Sequence, residues 1–355
     1  MLPLALLITV APQFNQVTTT FTFFGCNRIE ADDYVATIAQ NPSSANLPQL
    51  RLNLQDIATL NPNYAFFGGD NILGYADDKG EALTSQTIAW INLLKFGPRG
   101  SNTQFVAIPG NHELLRKNNG NKVPAPLADP IWSKLVTDAG FIPPNAVPPT
   151  PEEAKADKFT TNQDKLNFSF DNGNTHFVVL NTDTHVEILD PKTNLNKIAK
   201  LAVTWIKNDL ARAESNNKIT AVIIMGHRNL CEPSTSHGDS PIDAESGKSM
   251  TESIAKSPKV RAYLCAHVHA YDITEIPGTH VPQIVLGNGG SKLEDDWKPA
   301  AGRTFGFGYF KVFADGQLSF TPYFRPAPEP YNSEKPEDLP NAKPQTEFLF
   351  PTPKK

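Results

Sequence analysis

Cysteine is scarce in this chain: Cys26, Cys231 and Cys265 are the only three in 355 residues. None stands in a C-x-x-C arrangement, which excludes a disulfide framework and a structural thiolate zinc site and leaves one disulfide as the ceiling. Basic runs are also missing. Lys and Arg number 32 against 37 Asp and Glu, for a formal net charge of −5, so no dedicated nucleic-acid surface is expected. No apolar run is long enough to span a bilayer. The opening "MLPLALLITVAPQ" supplies about ten apolar residues without the positively charged start of a good signal peptide. Residues 1–18 are therefore a candidate leader. With it the protein would be secreted or periplasmic, and without it cytoplasmic; the sequence leaves both open. There is no internal repeat, and no feature singles out a protein partner.

What is present is a core. Apolar residues make up 39% of the chain, enough for one large domain or two ordinary ones. Short β-rich runs fall at 20–25, 64–69, 103–110, 175–181, 220–227, 260–267, 282–288, 308–313 and 318–324. Between them, "TSQTIAWINLLKF" and "AKLAVTWIKNDLARA" have helical spacing, the second with Ala202, Trp205, Ile206 and Leu210 on one face. Alternation of this kind predicts an α/β architecture with mixed sheets covered by helices. Two stretches break it. Residues 116–164 are so rich in proline that no long regular element is expected there, and the excursion reads as an insertion or lid. From residue 325 to 355 a proline-rich, charged stretch reads as an extended or disordered tail. The main domain is expected over 19–324.

The polar residues collect where the apolar runs stop. The run at 64–69 delivers Asp70, that at 103–110 delivers Asn111 and His112, that at 220–227 delivers His227, and that at 260–267 delivers His267 and His269. Sites in α/β proteins form at the carboxyl ends of strands, so separated segments converge on one edge. A carboxylate, an amide oxygen and imidazoles suit zinc, manganese or iron better than calcium. Each histidine alone has a bland reading as a hydrogen-bonded core residue, but with eight histidines in all the grouping at strand ends makes that reading a poor one.

"GGD", "PGNHE", "MGH" and "AHVH", in this order, resemble the motifs of the calcineurin-like metallophosphoesterase superfamily, and the resemblance covers roughly residues 19–324. It implies a four-layer αββα sandwich with two packed mixed sheets. It also implies a phosphoesterase that hydrolyses a phosphomonoester or phosphodiester with a metal-bound hydroxide, using one or two divalent ions. Residue by residue, it makes Asp70 the carboxylate bridging both metals, Asn111, His227 and His267 ligands of one, and His269 a ligand of the other. His112 becomes the non-ligating imidazole beside the scissile phosphate, where a group with a pKa near ~6.5 can protonate a leaving oxygen.

The first family motif, DxH, is replaced by Cys26 and Arg28 in "FFGCNRIE". Three readings stand. Cys26 is a thiolate ligand of a persisting second metal. Arg28 takes over that metal's electrostatic role by holding phosphate oxygens with its planar fork. Or hydrolysis is lost, and the chain is a phosphate- or metal-dependent binding protein on the same scaffold. A tyrosinate ligand is disfavoured, because Tyr75 follows Asp70 by five residues rather than three. Asp183 and His185 read as partners that could orient a ligand, and Asp183 reads alternatively, and more simply, as a cap or turn residue. His176 and His237 take no catalytic role, and "GNGGSKLE" reads equally as a ligand-approaching loop or a plain one. Cys265 reads as a small core residue, while Cys231 lines the cleft, where it could oxidise with Cys26 if the protein is exported. Substrate choice is expected to lie in 71–81, 114–166 and 229–248.

Overall fold

The computed structural model describes residues 16–31, 44–75, 79–233, 241–294, 303–327, 331 and 339–350. Nearly all of the candidate leader and His237 lie outside them. Each of the nine apolar runs forms a strand. In the first sheet β1 (Val17–Phe24), β2 (Tyr64–Gly68) and β3 (Gln104–Ile108) are parallel neighbours. On the other side of β1, β12 (Thr304–Phe313) and β13 (Leu318–Pro326) add antiparallel.

The second sheet has β7 (Thr175–Val179), β8 (Ala221–Met225), β9 (Val260–Cys265) and β11 (Pro282–Leu286) in parallel. Its antiparallel edges are β6 (Phe168–Asn172) and β10 (Tyr271–Glu275).

The two sheets pack face to face through apolar side chains. Phe21 stacks on Phe310 at 4.7 Å within the first sheet and meets Phe177 of the second edge-on at 5.3 Å. The outer face of the first sheet is covered by α1 (Leu47–Leu60), α2 (Glu81–Phe96) and α4 (Ala128–Asp138), with Trp90 and Trp132 packed among Leu54, Phe67 and Phe105. The outer face of the second is covered by α6 (Val203–Ser215) and α7 (Ala244–Ala255), through Trp205, Leu210 and Met250. This is the expected αββα sandwich. Among the described residues no helix is long and apolar enough to cross a membrane.

The region 116–164 holds more regular structure than its prolines suggest. It carries the eleven-residue α4 and the short α5 (Pro151–Ala156). Pro130 lies in the first turn of α4 and Pro151 begins α5, positions where a backbone N–H has no helical partner to lose. Before them β4 (Leu115–Asn118) and β5 (Asn121–Pro124) form a hairpin. Its turn residues Asn119 and Gly120 both have positive φ, 48° and 81°, as a tight primed turn requires. The tail is extended rather than formless where it is described: Lys343–Pro344 and Phe348–Phe350 pair with β13. Arg325, assigned to the tail from sequence, is the buried penultimate residue of β13 and pairs with Asp56.

Candidate metal centre

All the chemistry-bearing residues arrive from loops at the carboxyl ends of β1, β2, β3, β8 and β9. They come close because glycines stand between them. Gly69 has φ +86°, and a Cβ there would lie 2.6 Å from both the Gly110 nitrogen and His227 Nδ1. Glu113, to which sequence alone assigns no role, fastens two of these loops together. Its buried carboxylate accepts the backbone N–H of Gly110 at 2.8 Å, Asp70 at 3.0 Å and Asn71 at 2.8 Å. Burial, with the charge of Asp70 beside it, pushes the Glu113 carboxyl up to about 7 despite those donors. The available sequence signal was the last letter of "PGNHE".

Two donor groups share Asp70. In the first, the ligand atoms of Asp70, His227 and His267 all lie within 4.8 Å of one another. His227 Nε2 is 3.2 Å from Asp70 Oδ1, 3.2 Å from Asn111 Oδ1 and 3.2 Å from His267 Nδ1. The other ring nitrogen, Nδ1, donates to the Gly68 carbonyl at 2.8 Å. That bond leaves the Nε2 lone pair facing the cluster, as a ligating imidazole requires. In the second group the ligand atoms of Cys26, Asp70 and His269 converge within the same limit. His269 Nδ1 donates to the Lys292 carbonyl at 2.7 Å, leaving Nε2 for the cluster. All six expected ligand residues are thus brought together, and the donor types suit a divalent ion in each group.

The electrostatics agree. Burial alone would raise Asp70, but the His227 and His112 imidazoles and Arg28 outweigh it and hold the carboxyl well below its usual range. His227 runs the other way: burial is overcome by Asp70 and the ring is shifted up, so it must give up its Nε2 proton for an ion to bind. Burial and the Arg228 guanidinium push His267 well down, and burial and Arg28 take His269 to about 4. Those two rings are neutral, with lone pairs to give. Burial and Asp70 raise the Cys26 thiol well above its usual range, so its thiolate needs a cation beside it.

Arg28 and His112 flank the other carboxylate oxygen. Arg28 Nε and His112 Nε2 each lie 3.8 Å from Asp70 Oδ2. The guanidinium is steadied by donating through NH1 to the Ile29 carbonyl and to Glu30, both at 3.2 Å, while its buried Nε has no hydrogen-bond partner among the described residues. His112 donates from Nδ1 to the Leu73 carbonyl, and its ring packs against Tyr75 with centroids 4.1 Å apart. Burial pushes His112 down to about 3, Asp70 notwithstanding, so in this state it is a neutral ring rather than one near its ordinary value.

The secondary candidates resolve differently. Asp183 is not simply a turn residue: its Oδ2 accepts from Arg228 Nε at 2.9 Å, and Arg228 NH1 in turn lies 3.4 Å from His267 Nε2. His185 faces Asp129 at 3.3 Å and belongs to neither donor group. His176, at the opposite end of β7, is held by Asp171 and Asp209. The glycine-rich loop at 287–294 is fastened to the segment that carries Cys26 and Asn27. The Gly289 carbonyl accepts from Asn27 Nδ2 at 2.8 Å, and the Ser291 N–H donates to the Cys26 carbonyl at 2.8 Å. Cys231 is a half-buried free thiol packed against the core that α6 and α7 cover, and Cys26 and Cys265 are buried free thiols.

A four-layer fold with an Asp, Asn and His donor cluster at its strand ends defines the metallophosphoesterase class. The chain belongs to the calcineurin-like phosphoesterase family, whose sequence profile matches residues 38–271, more than half of its length. The match begins after Cys26 and Arg28. Among solved structures, PhoD superposes with a TM-score of 0.58 at 15% identity, covering 96% of this chain and 71% of that one. A dimetal phosphatase from Danio rerio superposes with a TM-score of 0.55 at 11% identity, covering 95% of this chain and 100% of the other. A sequence comparison with curated proteins finds no significant match. Divalent metal ions are what this family implies, and the two donor groups fit them.

Proposed function

We propose that the chain is a metal-dependent phosphoric ester hydrolase acting on a phosphomonoester or phosphodiester. The observation that carries this reading is the membership of Asp70 in two groups of donors, one with His227 and His267 and one with Cys26 and His269. The set of Asp70, Asn111, His227 and His267 would hold one zinc, manganese or iron ion tightly. Cys26, Asp70 and His269 would hold a second ion more weakly, because Arg28 stands beside it. Such ions supply Lewis-acid activation of water and offset charge in an in-line displacement.

The chain's own groups do the rest. Arg28 is fixed through NH1, which leaves its buried Nε to donate to a phosphate oxygen drawn to the cationic site. His112 has its Nδ1 proton committed to Leu73, so Nε2 is the atom at which a proton is taken up once an anionic substrate lies against it. The 19–324 unit would carry this activity and the tail would close the edge of the first sheet.

The replaced first motif favours a second reading, a binding protein that no longer hydrolyses. The two part on one experiment: generic aryl phosphate mono- and diesters assayed with manganese, zinc and iron. Turnover with at least one ion is expected. Inactivity with all three would leave the binding protein.

A further inference from the structure

The hairpin of β4 and β5 begins directly after the short helix that carries Asn111, His112 and Glu113 (Asn111–Leu114). Lys117 and Lys122 are register partners across it. Like charges placed directly opposite on an antiparallel pair repel, and such a pair costs stability. Among the described residues neither lysine is ion-paired with a carboxylate. Both ammonium groups instead lie over the Tyr75 ring, at 5.0 and 5.8 Å from its centroid. Tyr75 packs in turn on His112, and its backbone N–H donates to the His112 carbonyl at 2.7 Å. The backbone of Tyr75 is left-handed, φ 52°, a conformation that tyrosine seldom adopts. A strained aromatic and a tight, rigid turn thus hold two mutually repelling cations beside the catalytic imidazole. Burial and the nearby Arg228 charge also lower Lys122 from its usual value, consistent with a cation that faces the centre.

We propose that Lys117 and Lys122 bind a second anionic group of the substrate, so that the preferred phosphoester carries another phosphate or carboxylate beyond the scissile one. This rests on the phosphoesterase reading above. The chemistry is that of charge-assisted hydrogen bonds from two ammonium groups, with Tyr75 fixing their position through its ring face. Occupation of the site by an anion removes the repulsion between the two lysines.

The test is calorimetric titration of the metal-loaded full chain with methylphosphonate and with propane-1,3-bisphosphonate, neither of which can be hydrolysed. The bisphosphonate is expected to bind more tightly by on the order of tenfold or more. In the K117Q/K122Q double variant that preference should shrink to about twofold, the loss falling on the bisphosphonate, while K117R/K122R should keep it. Equal affinities in the parent chain overturn the proposal, as does a double variant that weakens both ligands alike. A preference that survives in K117Q/K122Q belongs to chelation of the metal and overturns it too; metal content measured before and after each titration identifies that outcome. Because nothing is turned over, failure of every ester assay would remove the hydrolase reading and leave this comparison readable.

Discussion

Replacing Arg28 by methionine keeps an unbranched stem as far as the position of Nε and removes the guanidinium with its charge, and the geometry predicts opposite effects on metal and on catalysis. Arg28 Nε is 3.8 Å from Asp70 Oδ2, and the arginine side chain is 13% exposed. Unit charges at that separation interact by roughly 4 kcal/mol at an effective dielectric constant of about 20. In the parent chain this attraction competes with any cation that Asp70 would hold, and the guanidinium repels a dication docked on the same carboxylate. Allowing for solvent and relaxation, removal of the charge should strengthen divalent-ion binding by about 1–3 kcal/mol, or roughly five- to hundredfold. The second donor group, nearest the guanidinium, should gain most. A charge-assisted hydrogen bond to the phosphate disappears at the same time, worth about 1.5–3 kcal/mol, so kcat/KM for an aryl phosphate should fall roughly ten- to hundredfold at saturating metal. Titration of manganese or zinc into metal-free protein, paired with steady-state kinetics, reads both quantities. If Arg28→Met loses metal and activity together, Arg28 is a structural support of the centre and the reasoning fails.

Cys26→Ser tests the other half of the altered motif. It should leave the tight ion bound to Asp70, Asn111, His227 and His267, and lower the affinity of the second by at least on the order of tenfold, the cost known for mere outer partners of a ligand; unchanged stoichiometry by elemental analysis would remove the thiol from the ligand set. Away from the centre, His176 should make stability depend on pH. Burial opposes its charge, but Asp171 at 2.6 Å and Asp209 at 2.9 Å outweigh that and raise it to about 9. With the folded value above the unfolded one, the cationic ring stabilises fully below about pH 6.5 and loses this as pH rises through about 9. The gap corresponds to about 3 kcal/mol, nearer 2 after screening at the half-exposed Asp171. Urea unfolding at pH 6 and pH 10 should show that loss in the parent chain and not in His176→Gln; an equal loss in both would contradict it.

The nine strands were legible because each is an apolar run, seven of them closing at a Gly, Ala or Asn. The ligands were legible because each follows its strand within one to four positions, so that local order sets their place. What escaped was either polar or distant. The edge strands "FSFDN" and "YDITE" have too few apolar residues to stand out, since only one side of an edge strand is covered. The turn of the β4–β5 hairpin was written in "NNGN", but the prolines downstream hid it. Arg228 and Asp183 are 45 residues apart, and Tyr75 meets Lys117 and Lys122 across a comparable gap, so only packing of the two loops reveals either partnership. Asp183 lies in a turn, as its local sequence suggests, but its bond to Arg228 is not local, and only the fold chooses between the two readings of it.

Three residues of the centre, Cys26, Asp70 and His267, have left-handed backbones with φ of 55°, 52° and 60°. For side chains other than glycine this costs about 1–2 kcal/mol apiece. Glycine at any of the three would relieve the strain. The surroundings hold the unfavourable conformation instead. The Asp70 carbonyl accepts the N–H groups of Asn27 at 3.0 Å and Arg28 at 3.1 Å, the Cys26 N–H donates to the Gly69 carbonyl at 2.8 Å, and the Asp70 N–H is taken by Glu113 at 3.0 Å. Seven other non-glycine residues of the described chain share this backbone, so what counts is not their number but that three of the donors are held in it by a network of buried hydrogen bonds. That Cys26 shares it with Asp70 and His267 supports the proposal that its thiol is aimed at the centre and not merely packed.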